Sequence, residues 1–345
     1  MNELSKRLRK ALSSPSFSST RRSHFFHPSS VSIEKNDKGF REVVGSCLRE
    51  QYFRIKDETP TNTTEPDYMI SALLGDKVSE LIVNLIDTHG FKMGLQRLAV
   101  EHSFYDPRIN VSGRTDIIAW DFVANEPVGI EIKSVGQYKA SLTIDSPDDS
   151  HVMQSILYLD YYRTYMPPSQ KVPKKWYIWY VSRTENWSIK GKKHGSPMTM
   201  VWDYYITLDG NGIPTVHTPT SSKERPDLAV KNIHKRFEQL AAYLDTNTEP
   251  PRDFDLEYSE EKITTLFKLD LIARKMDREK IEKWIKKGAT PGKLNLQLGD
   301  FECRTCAWKD RCWGLSTAAP EKTFSSLPEV DNEEQSETSE LPEMW

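Results

Sequence analysis

Two segments rich in β-branched residues, 111–121 and 127–135, stand only five residues apart in the sequence. Each segment is long enough to cross a β-sheet, and the loop around Asn125 is short enough for the two strands to pair directly. This spacing predicts a β-hairpin. Because a lone hairpin is only marginally stable in water, the neighbouring segments must supply the surfaces against which it packs.

The neighbouring segments contain both helical and strand patterns. The predicted helices span 40–56, 68–89, 151–165, 229–245 and 259–288, and the predicted strands span 175–183, 199–208 and 215–218. A turn sequence at 209–212 joins the last two strands. Helices on both sides of the hairpin in the sequence, followed by further strands, indicate an α/β fold with a mixed central sheet flanked by helices.

Charge is unevenly distributed along the 345 residues, whose formal net charge is −3. Residues 1–30 are basic and serine-rich, whereas residues 318–345 contain eight acids and one lysine. We expect the folded domain to span residues 31–317 and the acidic tail to be disordered. No apolar run approaches the roughly 20 residues that span a bilayer. We therefore expect no membrane contact and a cytoplasmic location.

Glu131 and Lys133 lie two residues apart on the second strand of the hairpin, so their side chains share one face. Asp116 lies on the first strand and would meet them if the strands pair as predicted. Two close carboxylates are suitable oxygen ligands for Mg²⁺ or Mn²⁺. Such a metal lowers the pKa of a bound water, and a lysine beside it can stabilise developing negative charge. The trio therefore predicts hydrolytic chemistry.

A Glu-x-Lys pattern also occurs on solvated hairpins that have no catalytic role. Here Ile130 and Ile132 occupy the opposite face of the strand, and Val128 and Ile117 add further apolar side chains. A strand this apolar is expected to be buried, and buried charges without partners are costly. The context therefore favours a functional site over a solvated surface.

The four cysteines are divided as one and three. Cys303, Cys306 and Cys312 follow the spacing C-x2-C-x5-C, and Cys47 lies 256 positions before the first of them. In a cytoplasmic chain this clustering indicates a metal site rather than disulfides, because that compartment keeps thiols reduced. Four thiolates can bind either Zn²⁺ or a 4Fe–4S cluster, and the residue types alone leave both open.

The segments GRTD, ending at Asp116, and IEIKS, containing Glu131 and Lys133, resemble motifs II and III of the PD-(D/E)XK nuclease superfamily. Downstream, Gln154 and Tyr158 form Q-x-x-x-Y on a predicted helix, which is similar to the additional motif of the RecB-like branch. The resemblance implies a restriction-endonuclease-like core in which the two acids bind Mg²⁺ or Mn²⁺ and the lysine assists the attacking water. It also implies that Gln154 and Tyr158 line the site.

The chain departs from the family pattern at motif I, which has a histidine four residues after a glycine on the helix that precedes the sheet. Gly75 is followed by Ser79 where the histidine would stand, and then by Glu80 in the position of the following acid. The resemblance implies that Glu80 is a third catalytic and metal-binding acid. The same residue can equally be an exposed helix residue, in which case the site has one ligand fewer.

The one-plus-three cysteine arrangement resembles the iron–sulfur nucleases of the RecB-like family, including the AddB nuclease domain and the CRISPR-associated RecB-like exonucleases. In these proteins one cysteine precedes the nuclease core and three follow it. The resemblance implies that Cys47, Cys303, Cys306 and Cys312 hold a 4Fe–4S cluster, with Zn²⁺ as the alternative. The cluster would join the two ends of the domain as an iron–sulfur-stapled helical region.

Together the motifs predict a metal-dependent DNA exonuclease that acts on DNA ends or single strands in a bacterium or a phage-infected cell. The chain lacks the phosphate-binding loop of ATPases, so any helicase, recombinase or CRISPR-adaptation partner would be a separate protein. The alternatives are a catalytically degenerate DNA-binding subunit and a zinc-stabilised scaffold protein.

Lys190, Lys192 and Lys193 form a weaker candidate for contacts with DNA phosphates. His151 could approach the metal, although capping and surface roles are commoner for such a residue.

Overall fold

The computed structural model describes residues 25–37, 40–62, 66–167, 169–183, 200–269, 275–287 and 298–315. The strands in these ranges are β1 (Ser32–Asp37), β2 (Phe40–Gly45), β3 (Leu95–Asp106), β4 (Val111–Asp121), β5 (Glu126–Val135), β6 (Trp176–Ser182), β7 (Val201–Leu208), β8 (Pro214–His217) and β9 (Ser222–Glu224). The helices are α1 (Leu48–Ile55), α2 (Pro66–Met93), α3 (Gln137–Thr143), α4 (Asp149–Tyr165), α5 (Val230–Asp245), α6 (Glu260–Lys268), α7 (Lys275–Lys287), α8 (Phe301–Thr305) and α9 (Lys309–Trp313).

A seven-stranded mixed sheet forms the centre of the fold, in the strand order β3-β4-β5-β6-β7-β8-β9. Neighbouring strands are antiparallel except β5 and β6, which are parallel. Parallel neighbours require a crossover connection, which contains α3 and α4. Strands β1 and β2 form a separate antiparallel pair. The predicted α/β class, with a mixed central sheet and flanking helices, is confirmed.

Different helices cover the two faces of the central sheet. On one face, Ile130 and Ile132 of β5 pack in the same apolar cluster as residues of α2. The other face packs against α4 and α5 in the larger core of the protein. Because side chains alternate along a strand, Glu131 and Lys133 face the side of α4.

Gly129 allows helix α4 to lie close to β5. A Cβ atom at this position would lie 2.2 Å from the ring of Trp176, so the indole lies directly against the backbone of the strand. The Trp176 ring in turn contacts Tyr158 and Tyr162 of α4, with ring centroids 4.8 Å and 5.9 Å apart. This close packing holds α4 over the face of β5 that carries the candidate active site.

The prediction of a single helix over 40–56 was wrong. Residues 40–45 form strand β2, and the helix begins only at Leu48. Gly45 separates the two elements, because it has a φ of +100° and a Cβ atom there would lie 2.2 Å from the carbonyl oxygen of Val31. A φ this far into the positive region is not helical, so no helix passes through Gly45, and any side chain there would be strained.

The other predicted helices and strands are present with shifted ends. Helices α2, α4 and α5 correspond to the predictions over 68–89, 151–165 and 229–245. The predicted helix over 259–288 corresponds to two helices, α6 and α7, and residues 270–274 between them lie outside the described residues. The strand patterns correspond to β4 to β8.

The sequence pattern does not predict strand β3. Most of its side chains are exposed or half-exposed, because it is an edge strand that pairs only with β4. Its register also shifts between Arg97 and Ala99, which interrupts the alternation of side chains. Backbone pairing rather than burial defines this strand, and a hydrophobic pattern cannot report such pairing.

The packed part of the chain begins before residue 31. Phe26 is buried and its ring stacks on Phe237 of α5 at a centroid distance of 5.6 Å. Its backbone also forms a bridge with Val111 at the start of β4. Residues 1–24 and 316–345, including the predicted acidic tail, lie outside the described residues. Within the described ranges, no helix is both long enough and apolar enough to cross a membrane.

Candidate active site

The carboxylate of Asp116 lies where the ladder between β4 and β5 ends. Ile117 and Ile130 are the last paired residues at this end. Beyond them, Oδ2 of Asp116 accepts a hydrogen bond from the backbone N–H of Ile132 at 2.7 Å. This bond holds the carboxylate against the neighbouring strand, where the negative charge of Glu131 acts on it. The predicted meeting of the two acids across the hairpin is therefore present in the structure.

Lys133 joins the hairpin to helix α4. Its Nζ atom lies 2.7 Å from Oε1 of Glu131 and donates a hydrogen bond to Oε1 of Gln154 at 2.8 Å. The amide nitrogen of Gln154 donates to the hydroxyl of Tyr158 at 2.6 Å, and this hydroxyl donates to the carbonyl oxygen of Arg114 at 3.3 Å. Five of the six side chains predicted for the active site therefore lie together.

The group has fewer positive than negative charges when both of its acids are ionised. Glu131 is 3% exposed, and its Oε2 atom is buried without a hydrogen-bond partner. Burial, together with the negative charge of Glu131, raises the pKa of Asp116 to about 7, although the positive charge of Lys133 opposes this rise. Two carboxylates and one ammonium would leave an uncompensated negative charge with little access to water. A divalent cation would supply the missing charge.

We expect the substitution Asp116→Asn to stabilise the metal-free protein at pH 8 but not at pH 4. The pKa of Asp116 is raised from 3.8 to about 7 in the folded protein, so its ionisation opposes folding. This penalty is absent below about pH 4, grows up to about pH 7, and amounts to roughly 4 kcal/mol at most above that. Urea unfolding in EDTA at both pH values measures it. The prediction would be contradicted if the variant and the wild type differed in unfolding free energy by the same amount at both pH values.

Glu80 does not lie with these side chains. It is exposed on α2 and forms an ion pair with Lys77 at 2.6 Å. Helix α2 packs on the sheet through Val78, Ile82 and Ile86. A residue two positions after Val78 is rotated about 200° around the helix axis, which turns it away from the sheet. The structure therefore separates Glu80 from the buried group in which motif I would place it.

Glu101 is an acid near the site that the sequence pattern does not single out. It lies on β3 beside β4, its negative charge contributes to the raised pKa of Asp116, and it forms an ion pair with Arg114. Its φ of +46° is uncommon for a residue other than glycine. Because β3 has no clear hydrophobic pattern, only the pairing of β3 with β4 brings Glu101 to this place.

The four cysteines line one pocket between the start of α1 and the segment that contains α8 and α9. Cys47 is the N-cap of α1, Cys303 and Cys306 lie in and immediately after α8, and Cys312 lies in α9. None of the four forms a disulfide. Cys47 therefore precedes a helix, whereas the sequence pattern placed it within one.

In this pocket a thiolate is unfavourable unless a bound group compensates its negative charge. Burial raises the pKa of Cys303 and Cys306 to about 12, so both thiols keep their protons at neutral pH unless a metal replaces them. Two sulfur atoms also accept hydrogen bonds. The backbone N–H of Trp308 donates to Cys306 Sγ at 3.4 Å, and Nη1 of Arg49 donates to Cys312 Sγ at 3.8 Å.

Protein contacts also attach the C-terminal cysteine segment to the loop after α1. The backbone N–H groups of Thr61 and Asn62 both donate to the carbonyl oxygen of Ala307 at 2.9 Å. The side chain of Asn62 donates to the carboxylate of Asp310 at 3.0 Å and accepts from its backbone N–H at 3.1 Å. The indole of Trp308 donates to the carbonyl oxygen of Glu58 at 3.1 Å. The two ends of the domain therefore meet through the protein itself.

A second acidic group lies between β3, α4 and α5. Ligand atoms of Asp106, Asp160 and His234 lie within 4.8 Å of one another. However, the guanidinium of Arg108 lies between the two carboxylates, 2.6 Å from Asp106 and 2.7 Å from Asp160. The cationic guanidinium already compensates both acids and would repel a metal ion. We therefore interpret this group as a structural ion-pair network.

The predicted basic loop with Lys190, Lys192 and Lys193 lies outside the described residues. The chain matches none of the family models and none of the curated protein sequences with which it was compared.

Proposed function

We propose that this protein is a metal-dependent DNA nuclease whose active site contains Asp116, Glu131 and Lys133. The observation that carries the proposal is the buried carboxylate of Glu131, whose Oε2 atom has no partner beside a second acid and a lysine. Phosphodiester hydrolysis needs groups that bind a cation, position a water and stabilise negative charge on the phosphate. The order GRTD, EIK and Q-x-x-x-Y, which resembles the RecB-like branch of the PD-(D/E)XK superfamily, is a second support.

Asp116 and Glu131 would hold Mg²⁺ or Mn²⁺. Carboxylate oxygens are the hard ligands that these ions prefer, and Oε2 of Glu131 is available for one of them. The bound ion would lower the pKa of a water and reduce repulsion between the nucleophile and the phosphate. The raised pKa of Asp116 is the expected consequence of a buried carboxylate pair without its cation.

Lys133 is placed to orient the attacking water or to stabilise charge on the phosphate. Glu131 and Gln154 each accept a hydrogen bond from its ammonium group, which leaves a third N–H for water or substrate. The hydrogen bond from Gln154 to Tyr158 fixes the amide in turn. We therefore assign Gln154 and Tyr158 as positioning residues that hold the lysine.

The proposed action on DNA ends or single strands follows from the resemblance to RecB-like exonucleases. The exposed position of Glu80 favours a second candidate, a DNA-binding subunit with a weakened active site. In that case the buried group would contain too few acidic ligands for efficient metal binding. Such a protein would bind DNA without cleaving it.

We also propose that the cysteine pocket holds a 4Fe–4S cluster rather than Zn²⁺. With Zn–S bonds of about 2.3 Å, a tetrahedral zinc site brings its sulfur atoms to roughly 3.8 Å from one another. Within the described ranges, the group with three ligand atoms within 4.8 Å of one another is the acidic one with His234, and it contains no cysteine. No three of the four cysteine sulfur atoms therefore lie that close together, and the one-plus-three arrangement, which resembles that of the iron–sulfur nucleases, supports the larger cluster.

The test compares wild-type protein, purified anaerobically, with Lys133→Ala on end-labelled single-stranded DNA with and without Mn²⁺. We expect wild-type cleavage to require the metal and the variant to be slower by about a hundredfold or more, because a group that stabilises transferring charge is lost. Lys175→Ala is the matched control. Lys175 forms an ion pair with Glu126 at 2.7 Å near the opposite end of β5, so its loss should leave the rate unchanged.

Equal cleavage by wild type and Lys133→Ala would identify a contaminating nuclease and contradict the proposal. A folded wild-type protein that binds DNA but does not cleave it would favour the DNA-binding subunit.

A further inference from the structure

The hydroxyl of Tyr180 lies beside the candidate active site in a fixed position. Tyr180 pairs with Lys133 across the parallel strands β5 and β6, so their side chains lie on the same face of the sheet. The Tyr180 side chain is fully buried and its ring stacks on Trp202 at a centroid distance of 5.5 Å. A buried ring between such neighbours has little freedom, so its hydroxyl points in one direction.

Two partners contact this hydroxyl, and together they determine where its proton lies. The backbone N–H of Asp148 donates to the Tyr180 oxygen at 3.0 Å, and Nδ1 of His151 lies 2.8 Å from the same oxygen. The phenol proton has His151 Nδ1 as its acceptor, because the backbone N–H can only donate. Tyr180 therefore donates to Nδ1. The imidazole is then neutral and carries its own proton on Nε2.

The surroundings of His151 also favour the neutral ring. Burial, together with the positive charge of Lys133, lowers the pKa of His151 to about 3, although the negative charge of Asp148 opposes this shift. His151 precedes Gln154 by three residues on α4, so the two side chains lie on neighbouring positions of one helix face. Because Gln154 contacts the ammonium of Lys133, this face of the helix borders the active site. With Nδ1 bonded to Tyr180, Nε2 of His151 is the ring nitrogen that can donate to a ligand.

We propose that His151, oriented by Tyr180, is a neutral N–H donor for a phosphate oxygen of the DNA backbone at the active site. The inference rests on the proposed nuclease function, since it requires a DNA strand at the Asp116 and Glu131 carboxylates. A neutral donor suits this position because a second cation beside Lys133 would be repelled. It binds a phosphate oxygen through geometry rather than through charge, so it contributes to alignment of the strand.

Two substitutions at position 151 separate the roles of the ring nitrogens. In His151→Gln the amide nitrogen reaches the place of Nε2, whereas in His151→Asn the shorter side chain reaches only the place of Nδ1. We expect His151→Asn to weaken binding of a fluorescein-labelled single-stranded oligonucleotide in EDTA about tenfold, as for loss of a hydrogen bond to a charged group. His151→Gln should stay within about twofold of wild type. The affinity of Tyr180→Phe should lie between those of the two His151 variants, because the imidazole remains but the phenol no longer orients it.

Steady-state cleavage with Mn²⁺ supplies a second readout. Loss of a strand-aligning donor should raise KM in His151→Asn with little change in kcat, and His151→Gln should restore KM. Thermal unfolding of each variant identifies any loss of folding. Wild-type affinity in His151→Asn, or equal weakening by both substitutions, would overturn the role of His151 even if the wild type is an active nuclease. A wild type that neither binds nor cleaves DNA would overturn this inference together with the proposed function.

Discussion

We expect Glu131→Gln to reduce the proposed metal-dependent DNA cleavage by about a hundredfold or more and to weaken the proposed binding of Mn²⁺. The substitution removes the buried negative charge whose Oε2 atom has no partner, and with it one of the two proposed metal ligands. It also removes the ion pair that holds the ammonium of Lys133 at 2.7 Å. Both the cation and the lysine would therefore lose their positions. Single-turnover cleavage of end-labelled single-stranded DNA and titration with Mn²⁺ measure the two effects.

Glu126→Gln is the matched control for this substitution. Glu126 begins the same strand and forms an ion pair with Lys175 at 2.7 Å, but it lies at the other end of β5. We expect this variant to bind Mn²⁺ and to cleave DNA as the wild type does. Retention of both properties in Glu131→Gln would show that the buried carboxylate has no part in metal binding. The proposed active site would then be wrong.

We expect Cys306→Ser to prevent binding of the proposed iron–sulfur cluster and to destabilise the domain. Four cysteines line the pocket, and a hydroxyl cannot replace a thiolate as a soft ligand for iron. We expect the absorbance near ~400 nm that is typical of thiolate-bound iron to disappear. We also expect a lower unfolding temperature, because the proposed cluster would join Cys47 to a segment that is distant in sequence. Metal analysis, absorbance and thermal unfolding measure the three changes.

Asn62→Ala distinguishes the effect of the proposed cluster from that of the protein contacts that join the same two segments. This substitution removes the two hydrogen bonds with Asp310 but leaves all four thiols in place. We expect it to lower stability modestly, by about 1 to 2 kcal/mol, without loss of iron. A colourless wild-type protein with one zinc per chain would contradict the cluster and favour the zinc alternative.

The composition of the candidate active-site group could be predicted from local sequence geometry. Glu131 and Lys133 share a face because strand residues alternate, and Gln154 and Tyr158 share one because they are four apart on a helix. Asp116 joins them through the pairing of two strands separated by a short loop. Each of these relations depends on periodicity or on short sequence separation, which a sequence displays directly.

The positions of Glu80 and Glu101 could not be predicted from the local sequence. The helix that contains Glu80 could be predicted, but the face that it turns to the sheet depends on the packing of Val78 and Ile82. Glu101 lies on an edge strand with exposed side chains, so no hydrophobic pattern indicates its proximity to Asp116. In both cases the position of the acid depends on contacts between distant segments.

The network around Tyr180 has the same origin. His151 could be placed near Gln154 from helical spacing, but its contact with Tyr180 requires α4 to pack on β6. The resulting tautomer of the imidazole depends on which groups surround one buried hydroxyl. The spacing of residues in the sequence does not indicate that environment, because it forms only when the helix and the strand are packed together.

The sequence by itself determined the α/β class, the central hairpin, the residues of the carboxylate–lysine group and the four cysteines that line one pocket. The tertiary structure decided which predicted residues meet, excluded Glu80 from the buried group, and left Oε2 of Glu131 without a partner. The physical reason is that alternation and helical repeat are properties of the local backbone. Burial and electrostatic compensation, in contrast, depend on the distances between side chains from segments far apart in the chain.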